Sequence, residues 1–209
     1  MKSAAATVPE YLASLPEPRR KAVSEVRTFI RGKLDKDFQE VMQYGIIGYC
    51  VPHSIWPHGH HTRPERPLMY MGLSSQKNDM VVYMLFLFQN TPMRQWFDKA
   101  WTVTGRTLHI QVGGAGCCLR FKKLEDLSLE VIGQAIDRMP VDKYLKDHTD
   151  MLASIGKGPD GKPLKKKVTG KPAAKAAAKT APAAKRKTTK KKAAAGRKKS
   201  TGGLGTMRR

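Results

Sequence analysis

The last quarter of the chain is a polycation with almost nothing from which to build a hydrophobic core. Residues 157–209 hold 19 lysines and arginines but a single acid, Asp160, so this segment carries a net charge of +18. It contains no aromatic residue, and most of its apolar residues are alanines. Burial of so little apolar surface cannot offset the conformational entropy lost on ordering. The sequence therefore predicts a disordered Lys/Ala/Pro-rich tail at residues 157–209.

Residues 1–156 have a different character and predict one compact domain. They hold 20 basic and 16 acidic residues, a net charge of only +4, and their length is typical of a single domain. Three cysteines, two of them adjacent, do not form the disulfide framework of a small secreted protein. The N-terminus lacks the apolar stretch of a signal peptide, and the nine-residue apolar run at 80–88 is too short to span a bilayer. We therefore expect a cytoplasmic protein.

The hydrophobic pattern of this domain predicts helices at both ends and strands between them. Thr7 and Glu10 have the capping-box spacing, and Ser128 and Thr91 precede apolar residues at helical spacing. We predict helices from Thr7 to about Leu15, from about Pro18 to Leu34, from Thr91, from Ser128 and, restarted, from Pro140. We predict extended segments at residues 38–43, 44–49, 68–73, 80–88, 108–112 and 118–121. The expected class is α+β, with a curved, mainly antiparallel sheet followed by the disordered tail.

The density of cations in the tail predicts binding to the phosphates of nucleic acid. Lysines separated by Ala, Thr and Pro neutralise phosphates and release counterions, which needs neither a fold nor base readout. The alternative is a tail that only improves solubility. The predicted contact residues are Lys165, Lys166, Lys167, Lys171, Lys175, Lys179, Lys185, Arg186, Lys187, Lys190, Lys191, Lys192, Arg197, Lys198 and Lys199.

A loop at residues 53–67 contains four of the six histidines and raises the question of a metal site. With the preceding cysteine, the possible ligands are Cys50, His53, His58, His60 and His61. Their spacing fits no structural zinc pattern, so we predict no metal and no cofactor. A cysteine on a strand near a histidine, Cys118 near His109, could form a nucleophile pair, but a buried structural cysteine is more common. We predict that the protein is not an enzyme.

Polar and aromatic residues from three parts of the domain could line a small pocket. Gln76, Lys77 and Asn78 fall in a predicted turn between two strands, where side chains are often only solvated. We interpret them as possible pocket residues together with Tyr44, Tyr49 and His53.

Several motifs, in order along the chain, resemble the YdhG-like family, a bacterial domain of unknown function. They are VPEYLASLP at residues 8–16, YGIIGY at 44–49, SQKN at 75–78 and CLRFKKL at 118–124. The resemblance covers about residues 8–150 and implies an α+β fold with a curved antiparallel sheet. The family offers no agreed catalytic residues, and one branch is described as frataxin-like iron chaperones. The tail lies outside the family and resembles a linker-histone tail.

These observations together lead to one expected function and one alternative. We expect a non-enzymatic, nucleoid-associated protein whose tail binds DNA or RNA without sequence preference and whose domain is a binding module. The expected partner is nucleic acid, most simply DNA, and no membrane. The alternative is a frataxin-like intracellular metal chaperone.

Overall fold

The computed structural model describes residues 3–112 and 117–164, and the predicted phosphate-binding residues of the tail lie outside this part. Two helices, α1 (Val8–Ala13) and α2 (Glu17–Lys33), precede six strands, and four further helices follow or interrupt the sheet in the described part of the chain. The strands are β1 (Gln39–Gln43), β2 (Ile46–Val51), β3 (Leu68–Ser75), β4 (Met80–Met84), β5 (Ile110–Val112) and β6 (Cys117–Phe121). The remaining helices are α3 (Leu85–Gln89), α4 (Thr91–Val103), α5 (Leu129–Asp137) and α6 (Val141–Ser154), with a single 3₁₀ turn at Leu124–Asp126.

The strands form one open sheet in which every paired strand is antiparallel. The strand order is β1-β2-β3-β4-β6-β5. Helix α2 packs against β3 and α5, and its Val23, Val26 and Ile30 are fully buried. The predicted α+β class with a mainly antiparallel sheet is confirmed.

Local capping signals in the sequence locate several helix ends correctly. The Thr7 hydroxyl accepts from the Glu10 amide, and the Glu10 carboxylate accepts from the Thr7 amide, which completes the predicted capping box. Ser128 caps α5 by accepting from the Val131 amide, and Pro140 immediately precedes α6. The cap of α4 was predicted one residue late. Asn90, rather than Thr91, accepts from the Met93 amide at 2.8 Å.

The apolar run at residues 80–88 is not a single strand, which corrects the prediction. It pairs as β4 only through Met84 and then turns into the short helix α3. Within α3, Phe86 and Leu87 are buried while Phe88 is 55% exposed. A short apolar run has no period that separates a strand from a buried helix, so the sequence pattern does not locate the end of β4.

Residues 38–49, predicted as extended throughout, form a tight hairpin. Tyr44 and Gly45 connect β1 to β2, and both have positive φ, 56° and 75°. Two-residue hairpin loops favour such angles because they match the twist of the flanking strands. Tyr44 is the single non-glycine residue with positive φ among the described residues.

The ordered chain continues beyond residue 156, where the domain boundary was predicted. After α6, Lys157 and Pro163 form an isolated antiparallel β-bridge, and the Leu164 amide donates to the Gly156 carbonyl at 2.8 Å. Gly161 has a φ of 75° and lies so close to the His61 carbonyl that a Cβ there would overlap it. Residues 157–164 therefore pack against the histidine loop.

Candidate functional site

A hollow lies on one face of the sheet, where two glycines are neighbours. Gly48 of β2, Gly72 of β3 and Tyr83 of β4 pair in one row across the three strands. A Cβ at Gly72 would come within 2.9 Å of the Ile46 side chain, and one at Gly48 within 3.0 Å of the Met69 methyl. Because both positions lack side chains, Ile46 and Met69 can lie close to the strands and leave space above them.

This hollow is a cleft of about 700 Å³, which is within the usual size range of small-molecule sites. Strand residues and the first residue of α3 form its floor, and the loop after β2 forms part of its rim. The lining residues are Tyr44, Ile46, His60, Thr62, Arg63, Met69, Ser74, Gln76, Tyr83 and Leu85. None of these ten is acidic, and most are apolar or aromatic.

One end of the cleft carries an oriented set of neutral hydrogen-bonding groups. The Gln76 amide nitrogen donates to the Tyr83 hydroxyl at 2.6 Å, and Ser74 Oγ lies 3.3 Å from the same hydroxyl. Arg120 donates to the Gln76 amide oxygen at 3.3 Å and is itself held by both oxygens of Asp79, at 2.8 and 3.0 Å. The amide is therefore fixed with its nitrogen towards Tyr83. The Tyr83 oxygen accepts this bond, and its proton is available to Ser74 or to a ligand.

The turn that carries Gln76 is held from outside the sheet. Arg19 of α2 donates to the backbone carbonyls of Gln76 and Lys77, and the Ser75 amide donates to the Tyr11 hydroxyl at 2.7 Å. These contacts fix the β3–β4 turn, so the polar end of the cleft is preorganised.

The rim of the cleft is cationic. Arg63 is exposed, and no described carboxylate forms an ion pair with it. The guanidinium of Arg66 lies 4.7 Å from the centre of the Tyr44 ring, which fixes this tyrosine at the edge of the cleft. Burial lowers the pKa of His60, helped by neighbouring His61, so this rim residue is neutral at pH 7.

The structure brings together only part of the pocket predicted from sequence. Tyr44 and Gln76 line the cleft. Tyr49 is buried in the core, His53 Nε2 lies 2.8 Å from the Pro64 carbonyl, and Lys77 and Asn78 are exposed in the turn. Sequence reasoning missed Ser74 and Tyr83, which the strand register places beside Gln76. The glycines at 48 and 72 were a usable signal, but their adjacency depends on the register.

Of the five possible metal ligands of the histidine loop, His60 and His61 stack with ring centroids 4.6 Å apart, and the other three contact other groups. Cys50 is buried in β2, where burial raises the pKa of its thiol to about 12, and its Sγ lies 3.7 Å from the Gln43 amide oxygen. His58 lies edge-on against Trp56, and His60 Nδ1 lies 3.0 Å from the Thr62 hydroxyl. Among residues 3–112 and 117–164, no group of three or more His, Cys, Asp or Glu side chains could hold a metal ion.

We predict that the protein retains no zinc or iron through this loop, because no three of its possible ligands come together in the described part of the chain. Elemental analysis after dialysis of protein prepared without a polyhistidine tag measures this directly. Stoichiometric metal that disappears in the double variant His58→Ala, His60→Ala would contradict the prediction and favour the metal-chaperone alternative. The matched control is His109→Ala, which removes an exposed histidine outside this loop.

A buried histidine that the sequence did not single out lies behind this loop. His148 of α6 is 2% exposed, and the Gln89 amide nitrogen lies 3.0 Å from its Nδ1. The rings of His61 and Trp56 lie 5.9 and 6.1 Å from its ring. His148 Nε2 and His61 Nδ1 are buried with no hydrogen-bond partner in the described part of the chain. Burial, followed by the charges of His61 and His60, lowers the pKa of His148 to about 4.

This lowered pKa predicts an acid-sensitive fold. A histidine in the unfolded chain has a pKa near 6.5, so below that pH the unfolded state binds a proton while folded His148 stays neutral. This difference favours the unfolded state. The contribution of neutral His148 to the free energy of unfolding is fully present above about pH 6.5 and is lost as the pH falls towards about 4. Between about pH 6.5 and about pH 4.5, the free energy of unfolding should fall by roughly 2 kcal/mol less in His148→Gln than in the wild type. Urea unfolding at both pH values measures this difference.

The control for this measurement is His58→Gln, because His58 is exposed in the neighbouring loop. It is expected to keep the wild-type dependence of unfolding free energy on pH. An unchanged dependence in His148→Gln would show that His148 is not the group responsible.

The fold and cleft together define an open antiparallel α+β domain with a ligand-sized hollow on one sheet face. No family model matches the sequence, and no curated protein matches it. The chain is similar to the solved structure of a DUF1801 family protein, YdhG, from Bacillus subtilis, with a TM-score of 0.44 and 16% sequence identity. The similarity covers 66% of this chain and 90% of that one. Its family is the one that the sequence motifs resemble.

No helix in residues 3–112 and 117–164 combines the length and the hydropathy needed to cross a bilayer.

Proposed function

We propose that this chain is a non-enzymatic nucleic-acid-associated protein with two working parts. The basic C-terminal segment binds phosphates, and the globular domain is a binding module. The observation that carries the proposal is the distribution of charge. Residues 165–209 hold 17 of the 39 basic residues and none of the 17 acidic ones, a net charge of +17. The rest of the chain has a net charge of only +5.

This charge density favours a polyanion as partner over a solubilising role. A cationic segment attached to a nearly neutral domain gains affinity by releasing the counterions condensed on nucleic acid. Such binding carries no sequence information, because phosphates are the same at every base pair. In a cell it directs the protein to the nucleoid within the cytoplasm, with DNA as the most abundant duplex there.

The experiment that tests the proposal compares the full chain with a variant ending at Leu164 in one gel-shift titration on duplex DNA. The end point retains the ordered turn at residues 157–164, so the domain keeps its contacts with the histidine loop. The proposal requires that the shortened chain bind far more weakly. Equal affinity of the two chains would favour a solubilising tail instead.

A further inference from the structure

The cleft has three chemically distinct zones, and their arrangement restricts what it can bind. The floor is apolar, with Ile46, Met69 and Leu85, and the aromatic rings of Tyr44 and Tyr83 border it. A flat, weakly polar body fits such a surface better than a charged or highly hydrated one. The volume of about 700 Å³ leaves room for more than a single ring.

The second zone requires hydrogen-bonding groups at the edge of this flat body. Gln76, Tyr83 and Ser74 form one connected set of neutral groups, and Arg120 holds the Gln76 amide in a single orientation. The Tyr83 hydroxyl accepts from Gln76 and still has a proton to donate. A ligand edge that carries a hydrogen-bond acceptor satisfies it, whereas an aliphatic ligand does not.

The third zone requires a negative charge at the mouth. Arg63 is exposed at the rim, and the described lining contains no carboxylate to repel an anion. A guanidinium presents several N–H donors in a geometry suited to phosphate oxygens.

From these three zones we propose that the cleft binds a nucleotide unit, with its base on the floor between Tyr44 and Tyr83 and its phosphate at Arg63. A nucleobase supplies the flat body with an edge of acceptors and donors, and the attached phosphate supplies the anion. The inference rests on the proposed role of the domain as a binding module. It does not depend on the tail, because the cleft lies wholly within residues 44–85. The unit is either a free mononucleotide or an unpaired nucleotide of a single strand.

The test is isothermal titration of the full chain with AMP and with adenosine at about 0.15 M salt, which screens exposed charges. We expect Arg63→Ala to weaken AMP binding by about tenfold or more and to leave adenosine binding unchanged, because only AMP carries the phosphate. Tyr83→Phe keeps the ring but removes the hydroxyl, and should weaken both ligands by roughly threefold to tenfold. The matched control is Arg31→Ala, an exposed arginine on α2 that does not line the cleft.

Several outcomes would overturn the inference. AMP binding that Arg63→Ala and Arg31→Ala change equally would belong to the tail or to general surface charge. If neither AMP nor adenosine binds at millimolar concentration, the cleft is not a nucleotide site. Tighter binding of decanoate than of AMP would assign the cleft to an aliphatic anion. None of these outcomes alters the gel-shift comparison on duplex DNA, so failure of this inference is distinguishable from failure of the tail.

Oligonucleotides of equal length then distinguish the two sources of the nucleotide. If the cleft takes an unpaired nucleotide of a strand, Arg63→Ala lowers the affinity of the full chain for single-stranded DNA more than for duplex. If it takes a free mononucleotide, Arg63→Ala weakens AMP while both oligonucleotide affinities match those of Arg31→Ala. Both results support the nucleotide site, and each identifies one source.

Discussion

Full-length protein is expected to bind duplex DNA with an affinity that falls steeply with salt concentration and does not depend on sequence. If roughly 8 to 10 of the tail cations contact phosphates, log K should fall against log salt with a slope of about −7 to −9. Raising salt from about 50 to about 200 mM should then weaken binding by roughly 10⁴-fold or more. Gel-shift titrations at several salt concentrations, on two unrelated duplexes of one length, measure the slope and the sequence preference together.

Variants within the tail test whether its charges act independently. Lys166→Ala should reduce the magnitude of the slope by about one unit, with no change in sequence preference. Replacing Lys190, Lys191 and Lys192 together by Gln should have a nearly additive effect, because counterion release on phosphate contact requires no fixed geometry. The matched control replaces three domain cations that are exposed and distant in sequence, such as Lys21, Arg31 and Lys99, by Gln. Affinity insensitive to salt would end the hypothesis.

Phe86→Ala is expected to destabilise the domain by about 3–5 kcal/mol, the usual loss for a buried phenylalanine. Its side chain is fully buried in α3, and its ring stacks on Tyr70 with centroids 4.7 Å apart. Tyr70 in turn contacts Phe38 and Tyr144, with ring centroids 4.5 and 5.0 Å away. Truncation therefore opens a cavity at the edge of an aromatic cluster that cannot collapse without moving several rings.

The same helix offers a matched control for this variant. Phe88 is 55% exposed two residues later, so Phe88→Ala should change the unfolding free energy by less than about 1 kcal/mol. Urea unfolding followed by tryptophan fluorescence measures both. A similar small loss in the two variants would mean that the helical register of α3 is wrong, because a helix buries only one of these side chains.

Only some residues of the candidate site could be predicted from the sequence. Tyr44 and Gln76 were predicted as pocket residues, Gln76 in a predicted turn and Tyr44 in a predicted extended segment, and both line the cleft. Tyr83, which organises the polar end, lies inside the apolar run at 80–88, where sequence offers no reason to expect a site residue. His148 appears in the sequence as one polar residue on a helix, and its burial beside His61 follows only from the packing of α6.

What the sequence determined by itself is set by local chemistry and by charge. The caps at Thr7 and Ser128, the start of α6 after Pro140 and the α+β order all depend on residues a few positions apart. Charge is likewise a sum over residues, so the polycationic nature of the tail needs no structure. The tertiary structure decided where β4 ends, that Gly48 and Gly72 are neighbours, and that residues 157–164 pack against the histidine loop. These depend on strand register and on contacts between distant segments, because a shift of one residue moves every side chain to the other face of a sheet.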